Sequence, residues 1–220
     1  MIRYLAHRCP EANIRLIETS ADLGPNRKVC NLHGLAAAAR HDLLLVSDSD
    51  MRVAPDYLRR VVAPFHDPRV GLVTCPCRGA EPEGLPAALE ALGIAASFMP
   101  GVFVAALGAS PFAFGSTIAL RRATLERIGG FASLVDYLAD DYQMGKRVAD
   151  LGLRIHLSTV VVDSVLGPRS FRESWARRLR WARTVRACRP LGHLGSGLTH
   201  TTALALLTWL AFSLGSSGGD

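Results

Sequence analysis

Residues 43–50 read Leu-Leu-Leu-Val-Ser-Asp-Ser-Asp, so four apolar residues and a serine lead into two aspartates. The apolar run predicts a buried β-strand, and polar residues just past such a strand lie at the edge of an α/β sheet where ligands bind. Two carboxylates one residue apart can hold a hard divalent cation. We therefore predict that Asp48 and Asp50 bind Mg²⁺ or Mn²⁺ against a diphosphate, with a solvated surface turn as the alternative.

Outward from this stretch, apolar runs alternate with helical patterns. That alternation is typical of βαβ units and predicts an α/β fold with a mostly parallel sheet. Capping residues and helical spacing predict helices that begin after Asn26, near Pro55 and at Asp140. The helix near Pro55 is expected to bury one stripe, made of Tyr57, Leu58, Val61, Val62 and Phe65. Further strands are predicted at residues 14–17, 70–75, 112–120 and 155–163.

The positive charge is concentrated in one stretch. The chain has 220 residues with 25 basic and 19 acidic side chains, a formal net charge of +6. The surplus comes from arginines that accompany a single acid, Glu173: Arg169, Arg172, Arg177, Arg178, Arg180, Arg183, Arg186 and Arg189. Proteins that coat nucleic acid usually spread their basic residues and interleave aromatics, so no nucleic-acid partner is predicted. The pattern favours a local anion site or a basic collar beside a membrane.

Two segments are unusually apolar. Residues 91–120 contain no charged side chain, but Pro100 and Pro111 interrupt them, so a pair of short buried or interfacial elements is predicted there. Residues 197–215 are apolar over a length that can cross a bilayer, and they follow the arginine-rich stretch. We therefore predict a transmembrane helix within residues 191–215, with a core helix as the alternative.

A second pair of acids, Asp140 and Asp141, lies at a predicted helix start before Tyr142. Asp140 can cap the helix while Asp141 projects its carboxylate into a pocket. Neighbouring acids raise each other's proton affinity, as a general base requires. The alternative is simple capping with a favourable helix dipole.

Residues 177–181 read Arg-Arg-Leu-Arg-Trp on a predicted helix. At about 100° per residue, Arg177, Arg180, Trp181 and Thr184 share one face. Guanidinium groups on that face can grip phosphate oxygens, and the indole can form a wall for a sugar or an acceptor. An amphipathic helix on a membrane surface is the alternative, and the two roles are compatible.

In this order, Asp48-Ser49-Asp50, Leu138-Ala139-Asp140-Asp141-Tyr142 and Arg177-x-x-Arg180-Trp181 resemble the signature of lipid-directed glycosyltransferases of families 2 and 21. The resemblance covers about residues 26–189. Within that group the chain looks most similar to ceramide glucosyltransferases and to glycosyltransferases associated with hopanoid biosynthesis. Supporting segments lie at residues 26–29, 115–121, 129–131 and 157–163.

The resemblance implies a GT-A fold, a UDP-sugar donor, a divalent cation, inversion at the anomeric carbon and a membrane-lipid acceptor. It makes Asp141 the catalytic base and gives the metal to Asp48 and Asp50. The residues expected to bind the donor and acceptor are Lys28, Asp48, Asp140, Arg177, Arg180 and Trp181.

The resemblance also implies how the chain is organised. Members of the family begin with a membrane helix and two strands that have no counterpart here, so residues 1–190 are expected to form a GT-A domain that lacks its first strands. The helix within residues 191–215 and a tail at 216–220 would follow. The catalytic domain would face the cytosol at a bacterial-type inner membrane.

The leading hypothesis is an inverting glycosyltransferase that moves glucose or N-acetylglucosamine from a UDP-sugar to a hydroxyl of ceramide or a hopanoid. Two alternatives stay open. A GT-A-like nucleotidyltransferase would use the same carboxylates and a metal but would release pyrophosphate. An inactive membrane-bound fragment would bind anionic lipid through the arginine-rich helix.

Overall fold

The computed structural model describes residues 2–19, 22–107 and 112–188, and beyond them Pro190, His193, Ala205, 207–209 and 212–213. Residue contacts divide the chain into two compact units, each with its own sheet. Unit 1 consists of Met1–Asp48, Pro55–Cys75 and Pro111–Val160. Unit 2 consists of Ser49–Ala54, Pro76–Ser110 and Val161–Asp220.

The elements are numbered along the chain. The strands are β1 (Leu43–Ser47), β2 (Met51–Arg52), β3 (Val70–Thr74), β4 (Cys77–Ala80), β5 (Thr117–Arg121), β6 (Arg154–Leu157) and β7 (Val162–Val165). The helices are α1 (Ile2–Arg8), α2 (Arg27–Ala38), α3 (Tyr57–Val62), α4 (Gly84–Gly93), α5 (Met99–Leu107), α6 (Arg122–Arg127), α7 (Asp140–Asp150) and α8 (Phe171–Cys188). Short 3₁₀ segments lie at Ala63–His66 and Phe131–Leu134, and a π-helical turn lies at Ile94–Phe98.

The unit 1 sheet has the strand order β1-β5-β3-β6. β5 runs antiparallel to both of its neighbours, with Leu120 opposite Leu44 on β1 and Leu72 on β3, whereas β3 and β6 are parallel. The prediction of a mostly parallel sheet is therefore wrong, because the sheet is mixed. Apolar runs identify strands, but they carry no information on the direction of the strand that pairs with them.

One hydrophobic cluster joins this sheet to α2 and α7. Its members include Val29, Cys30, Leu44, Leu72, Leu120, Met144 and Val148. Burying each large aliphatic side chain contributes about 1.5–3 kcal/mol. The cluster therefore holds the first turns of α2 and α7 at fixed positions beside the end of β1.

In unit 1 the strand predicted at residues 14–17 is wrong, and the predicted stripe near Pro55 is confirmed at Tyr57, Val61 and Phe65 but wrong at Leu58. Residues 14–17 form no strand; instead Arg15 Nη2 donates to the Ala38 carbonyl at the end of α2, 2.5 Å away, so a side chain ties the segment to a helix. On α3, Leu58 is 60% exposed, while Tyr57 and Val61 are buried. The buried stripe repeats every four residues on this short helix, and Leu58 lies about 100° away from it.

The unit 2 sheet has the order β2-β7-β4. β7 is antiparallel to β2, with Ser164 opposite Met51, and parallel to β4, with Val162 opposite Cys77.

Two predicted strands have different bounds in the structure. The strand predicted at 155–163 is two strands, β6 of unit 1 and β7 of unit 2. The strand predicted at 112–120 is β5, which begins five residues later than expected, at Thr117.

A continuous helical segment follows β4. α4, the π-helical turn and α5 run from Gly84 to Leu107 and pass through Pro100. A proline lacks an N–H, and its ring presses on the carbonyl one turn before it. The π-helical turn widens the helix just ahead of Pro100, where the Met99 N–H bonds to Ile94 O. The predicted pair of separate short elements is therefore wrong here.

Among the described residues, one helical segment, Gly84–Phe103, is long and apolar enough to cross a membrane. Within its most apolar 18-residue window, 22% is buried. The transmembrane helix predicted within residues 191–215 falls almost entirely outside the described residues.

α8 is the predicted arginine-rich helix. A capping box starts it: the Ser170 N–H donates to Glu173 Oε2 at 2.7 Å, and the Glu173 N–H donates to Ser170 Oγ at 3.2 Å. Of its 18 residues only Ser174 is fully buried, so most of the arginine side chains lie at the surface.

Candidate active site

An acidic site in unit 1 lies at the end of β1, beside the first turns of α2 and α7. Asn26 caps α2: its side-chain oxygen accepts from the Val29 N–H at 3.2 Å. Its amide nitrogen donates to the Tyr137 carbonyl at 2.8 Å, just before α7. The cap thus fixes α2 against the segment that leads into α7 and places Lys28 between the two acidic segments.

Lys28 links these acids. Its Nζ donates to Asp48 Oδ1 at 2.7 Å and lies 4.0 Å from Asp140 Oδ2. Burial acts to lower the pKa of Lys28, but the hydrogen bond to Asp48 and the charges of Asp140, Asp48 and Asp141 outweigh it, so this pKa lies above its ordinary value. Lys28 is therefore fully charged at neutral pH and holds Asp48 in place.

The predicted capping role of Asp140 is wrong. Ala139 occupies the capping position of α7, and Asp140 is the first helical residue. Its carboxylate contacts two residues of α2 and its cap: Asn26 Nδ2 donates to Oδ1 at 3.5 Å, and Lys28 Nζ lies 4.0 Å from Oδ2. Asp140 is only 7% exposed, and this burial raises its pKa despite the opposing charge of Lys28.

Asp141 is held by backbone groups. Its Oδ2 accepts from the Gly115 N–H at 3.0 Å, and its Oδ1 accepts from the Tyr142 N–H at 2.7 Å. Burial raises the pKa of Asp141, and the charge of Asp140 raises it further, while the two N–H donors and Lys28 act in the other direction. An oriented carboxylate with raised proton affinity suits a general base.

Gly115 faces three charged atoms of this site. A Cβ at this position would lie 3.3 Å from Lys28 Nζ and 3.4 Å from both Asp141 Oδ2 and Asp48 Oδ2. A side chain here would therefore fill the space between the Lys28 ammonium and the carboxylates of Asp48 and Asp141. The sequence pattern does not predict a role for this glycine in the site, because it lies far from Asp48 and Asp141 along the chain.

The two predicted metal ligands, Asp48 and Asp50, belong to different units, and each is described in its own unit. In unit 1, Asp48 offers a second oxygen on the Gly115 side. In unit 2, Asp50 directly precedes β2, and its carbonyl accepts from the Val165 N–H at 2.9 Å. No group of three or more His, Cys, Asp or Glu side chains converges in the described part of the chain. Mg²⁺ and Mn²⁺ often take one or two carboxylates and complete their coordination with substrate phosphates and water.

Unit 2 contains an ion cluster that the sequence did not reveal. Glu90 on α4 is 3% exposed, and its oxygens accept from Arg169 Nη1 at 2.6 Å and from Arg177 Nη1 at 2.9 Å. The Arg177 guanidinium carbon lies 5.6 Å from the centre of the Trp181 ring, so these residues share a face of α8 as predicted. The Arg180 side chain is exposed.

These contacts bring six of the eight predicted site residues together in two groups, which do not include Asp50 and Arg180. Lys28, Asp48, Asp140 and Asp141 meet in unit 1. Arg177 and Trp181 meet in unit 2, with the buried acid Glu90 added to them.

Comparison with known proteins points to one class of enzyme. The sequence model of glycosyl transferase family 21 matches residues 1–217. Ceramide glucosyltransferases 1 and 3 of Caenorhabditis elegans are each 25% identical, over 166 and 167 residues, which is 72% of this chain. The chain spans only 34% and 35% of the length of these two relatives.

A solved structure shares the fold. The mannosyltransferase PcManGT from Pyrobaculum calidifontis, in complex with GDP-mannose and Mn²⁺, aligns with a TM-score of 0.62 at 24% identity. The alignment covers 100% of this chain and 62% of that protein. The likeness confirms a glycosyltransferase fold of the GT-A type with a mixed α/β sheet.

Proposed function

The chain belongs to glycosyl transferase family 21, and we propose that it transfers glucose or N-acetylglucosamine from a UDP-sugar to a hydroxyl of a membrane lipid, with inversion. The observation that carries the proposal is the Asp141 carboxylate, whose two oxygens are held by backbone N–H groups next to Lys28 and Asp48. A carboxylate fixed in this way can accept a proton at one defined place.

In the proposed reaction, Asp141 takes the proton of the lipid hydroxyl while that oxygen attacks the anomeric carbon. The new bond from oxygen to carbon forms as the bond from that carbon to the diphosphate oxygen breaks, and UDP leaves with the electron pair. A single displacement from the opposite face inverts the configuration. The raised pKa of Asp141 makes its carboxylate a stronger base than an exposed aspartate.

Both basic and acidic residues are proposed to bind the donor. In unit 1, Lys28 orients Asp48 and adds a positive charge for the phosphates, and Asp140 binds substrate beside it. Asp48 and Asp50 would hold a divalent cation, which would supply charge neutralisation for a diphosphate leaving group. In unit 2, the guanidinium groups of Arg177 and Arg180 bind the diphosphate, and Trp181 supports the acceptor.

A lipid acceptor is supported by a surface of unit 2. The side chains of Leu85, Leu89 and Leu92 on α4 are exposed at helical spacing, whereas Ala87 and Ile94 fill the buried face. Two C. elegans relatives carry the name ceramide glucosyltransferase. A leucine stripe beside the arginines of α8 suits an anionic lipid surface, and we place this surface on the cytosolic face of the membrane.

The test is transfer by the purified chain in mixed vesicles that contain ceramide or a hopanoid polyol. UDP-glucose and UDP-N-acetylglucosamine are offered with Mn²⁺, and GDP-mannose is offered in parallel because the fold neighbour binds it. We expect a glycolipid by mass spectrometry, equimolar release of UDP, an inverted anomeric centre by NMR, and loss of transfer when EDTA removes the metal.

Two outcomes would contradict the proposal. Release of pyrophosphate instead of UDP would indicate a nucleotidyltransferase. Vesicle binding that needs neither donor nor metal, without glycolipid from any of the three donors, would indicate a lipid-binding protein.

A further inference from the structure

We infer that Glu90 is a positioning residue that orients Arg177 for the donor diphosphate. This inference deepens the proposed function and rests on it, because the contact of Arg177 with a diphosphate belongs to that proposal. Glu90 lies on α4, 87 residues before Arg177 in the chain. A buried acid is an unexpected neighbour for an anion-binding arginine, and its geometry explains why it is there.

Glu90 is an almost fully buried carboxylate on an otherwise apolar helix. It lies on the same buried face of α4 as Ala87, and Ile94 of the following π-helical turn continues that face. Burying a carboxylate is unfavourable unless both oxygens are paired. Here Oε2 accepts from Arg169 and Oε1 accepts from Arg177, so each oxygen has its own guanidinium.

Two guanidinium groups and one carboxylate leave the cluster with a net charge of +1. The Arg177 side chain is 31% exposed, against 18% for that of Arg169, so Arg177 is the more accessible cation. A guanidinium has five N–H donors, so Arg177 can bind Glu90 and a phosphate oxygen at the same time. A diphosphate supplies the negative charge that would balance the cluster.

The orientation of Arg177 is restrained from two sides. Glu90 binds its Nη1, and the ring of Trp181, one turn further along α8, lies 5.6 Å from its guanidinium carbon. A side chain that is already ordered loses less conformational entropy when a ligand binds. Glu90 therefore raises the affinity for an anion because it orders the Arg177 side chain. This effect outweighs the repulsion between the Glu90 carboxylate and the anion.

The next arginine fastens α8 to α4 at the same level. Arg178 Nη2 donates to the Leu89 carbonyl at 2.8 Å. The Arg178 guanidinium lies over Gly93, where an added Cβ would come within 2.3 Å of Nη2. Because neighbouring residues on α8 reach neighbouring residues on α4, the pairing of Glu90 with Arg177 is set by the packing of the two helices.

The first test measures UDP binding by calorimetry in the presence of Mn²⁺. We expect Glu90→Gln to weaken binding about threefold to tenfold, because Arg177 loses its order. A purely electrostatic role predicts the opposite sign, since removal of a negative charge near an anion site tightens binding. Glu81→Gln is the matched control, since Glu81 is an exposed acid of unit 2 paired with Arg52. Its UDP affinity should equal that of the unaltered chain.

A double-mutant cycle separates positioning from general damage. In an Arg177→Ala background, Glu90→Gln should have no further effect on UDP affinity. Glu90→Asp keeps the charge but is one methylene shorter, so it cannot reach both arginines and should also weaken binding. Unchanged or tighter binding by Glu90→Gln with Arg177 present, or an equal loss without Arg177, would overturn the inference.

A measurement without UDP tests the ordering directly. In ¹⁵N NMR spectra, slow rotation should split the two Nη resonances of Arg177, and Glu90→Gln should collapse this splitting. Retained splitting would overturn the inference. The two proposals also fail differently: if Arg177→Ala leaves UDP affinity unchanged, the proposed role of Arg177 fails. If Arg177→Ala weakens binding and Glu90→Gln does not, only the role of Glu90 fails.

Discussion

The acidic site of unit 1 and the arginine cluster of unit 2 hold charges in opposite proportions. In unit 1, the carboxylates of Asp48, Asp140 and Asp141 accompany one ammonium group, that of Lys28. In unit 2, two guanidinium groups share the single carboxylate of Glu90. The acidic surplus suits a cation and a base, and the basic surplus suits an anion.

In each cluster the charge of the less abundant sign, the minority charge, holds groups of the more abundant sign, the majority charges, in place. Lys28 donates to Asp48 and lies near Asp140, and Glu90 binds both Arg169 and Arg177. The majority charges remain available for ligands, since each has further donor or acceptor capacity. Variants of the majority and minority charges should therefore have different consequences.

The largest effect is expected at a majority charge of unit 1. Asp141→Asn keeps the shape of the side chain and removes its ability to take a proton. We expect transfer to fall by a factor of about 10²–10⁴, the usual contribution of a general base, while UDP binding changes little. Single-turnover kinetics with UDP-glucose and calorimetry with UDP measure the two quantities.

Asp150→Asn is the control on the same helix. Asp150 is exposed and pairs with Lys146 at the far end of α7, so its loss should leave transfer unchanged. Undiminished turnover of Asp141→Asn would remove Asp141 from the role of base.

Opposite effects on stability are expected from the same acid-to-amide change in the two clusters. Glu90→Gln should lower the free energy of unfolding by about 1–3 kcal/mol, because two partly buried guanidinium groups lose their counter-charge. Asp140→Asn should raise it at neutral pH, since burial disfavours the charged form of Asp140 in the folded state.

The pH dependence of unfolding checks the second sign. A carboxyl whose folded pKa lies above the ordinary value of 3.8 leaves stability intact below that value and reduces it as the pH rises through the folded pKa. Urea titrations between pH 3 and pH 8, without divalent cations, should therefore show a smaller loss in Asp140→Asn. An equal loss in both proteins would mean that Asp140 is not penalised by folding.

The sequence predicted those elements of the site that are specified by residues adjacent in the chain. The apolar run before Asp48 and the capping pattern after Asn26 each specify an element from adjacent residues, and the structure contains both elements. Gly115 and Glu90 were missed because their contacts are long-range. Gly115 lies 26 residues from Asp141, and Glu90 lies 87 residues from Arg177.

The predictions of strand direction and of a helix break at Pro100 were wrong for the same reason. The antiparallel direction of β5 depends on its partners β1 and β3, to which its own residues give no clue. The passage of the helix through Pro100 depends on a π-helical turn, which involves hydrogen bonds between residues five apart and leaves no periodic signature. Direction and register come from the tertiary fold, whereas propensity and capping come from neighbours in the chain.

The smallest expected effect is a shift in the pH profile of transfer, and it tests whether the two acids of α7 are coupled. Burial and the charge of Asp140 raise the pKa of Asp141, so the acid limb of the profile should lie above the ordinary aspartate value of 3.8. Asp140→Asn removes the second of these causes, so the limb should move to lower pH, whatever happens to the maximal rate. Asp150→Asn should leave the limb in place. A limb that does not move in Asp140→Asn belongs to a different group, and the base would then have to be sought outside the pair of acids at the start of α7.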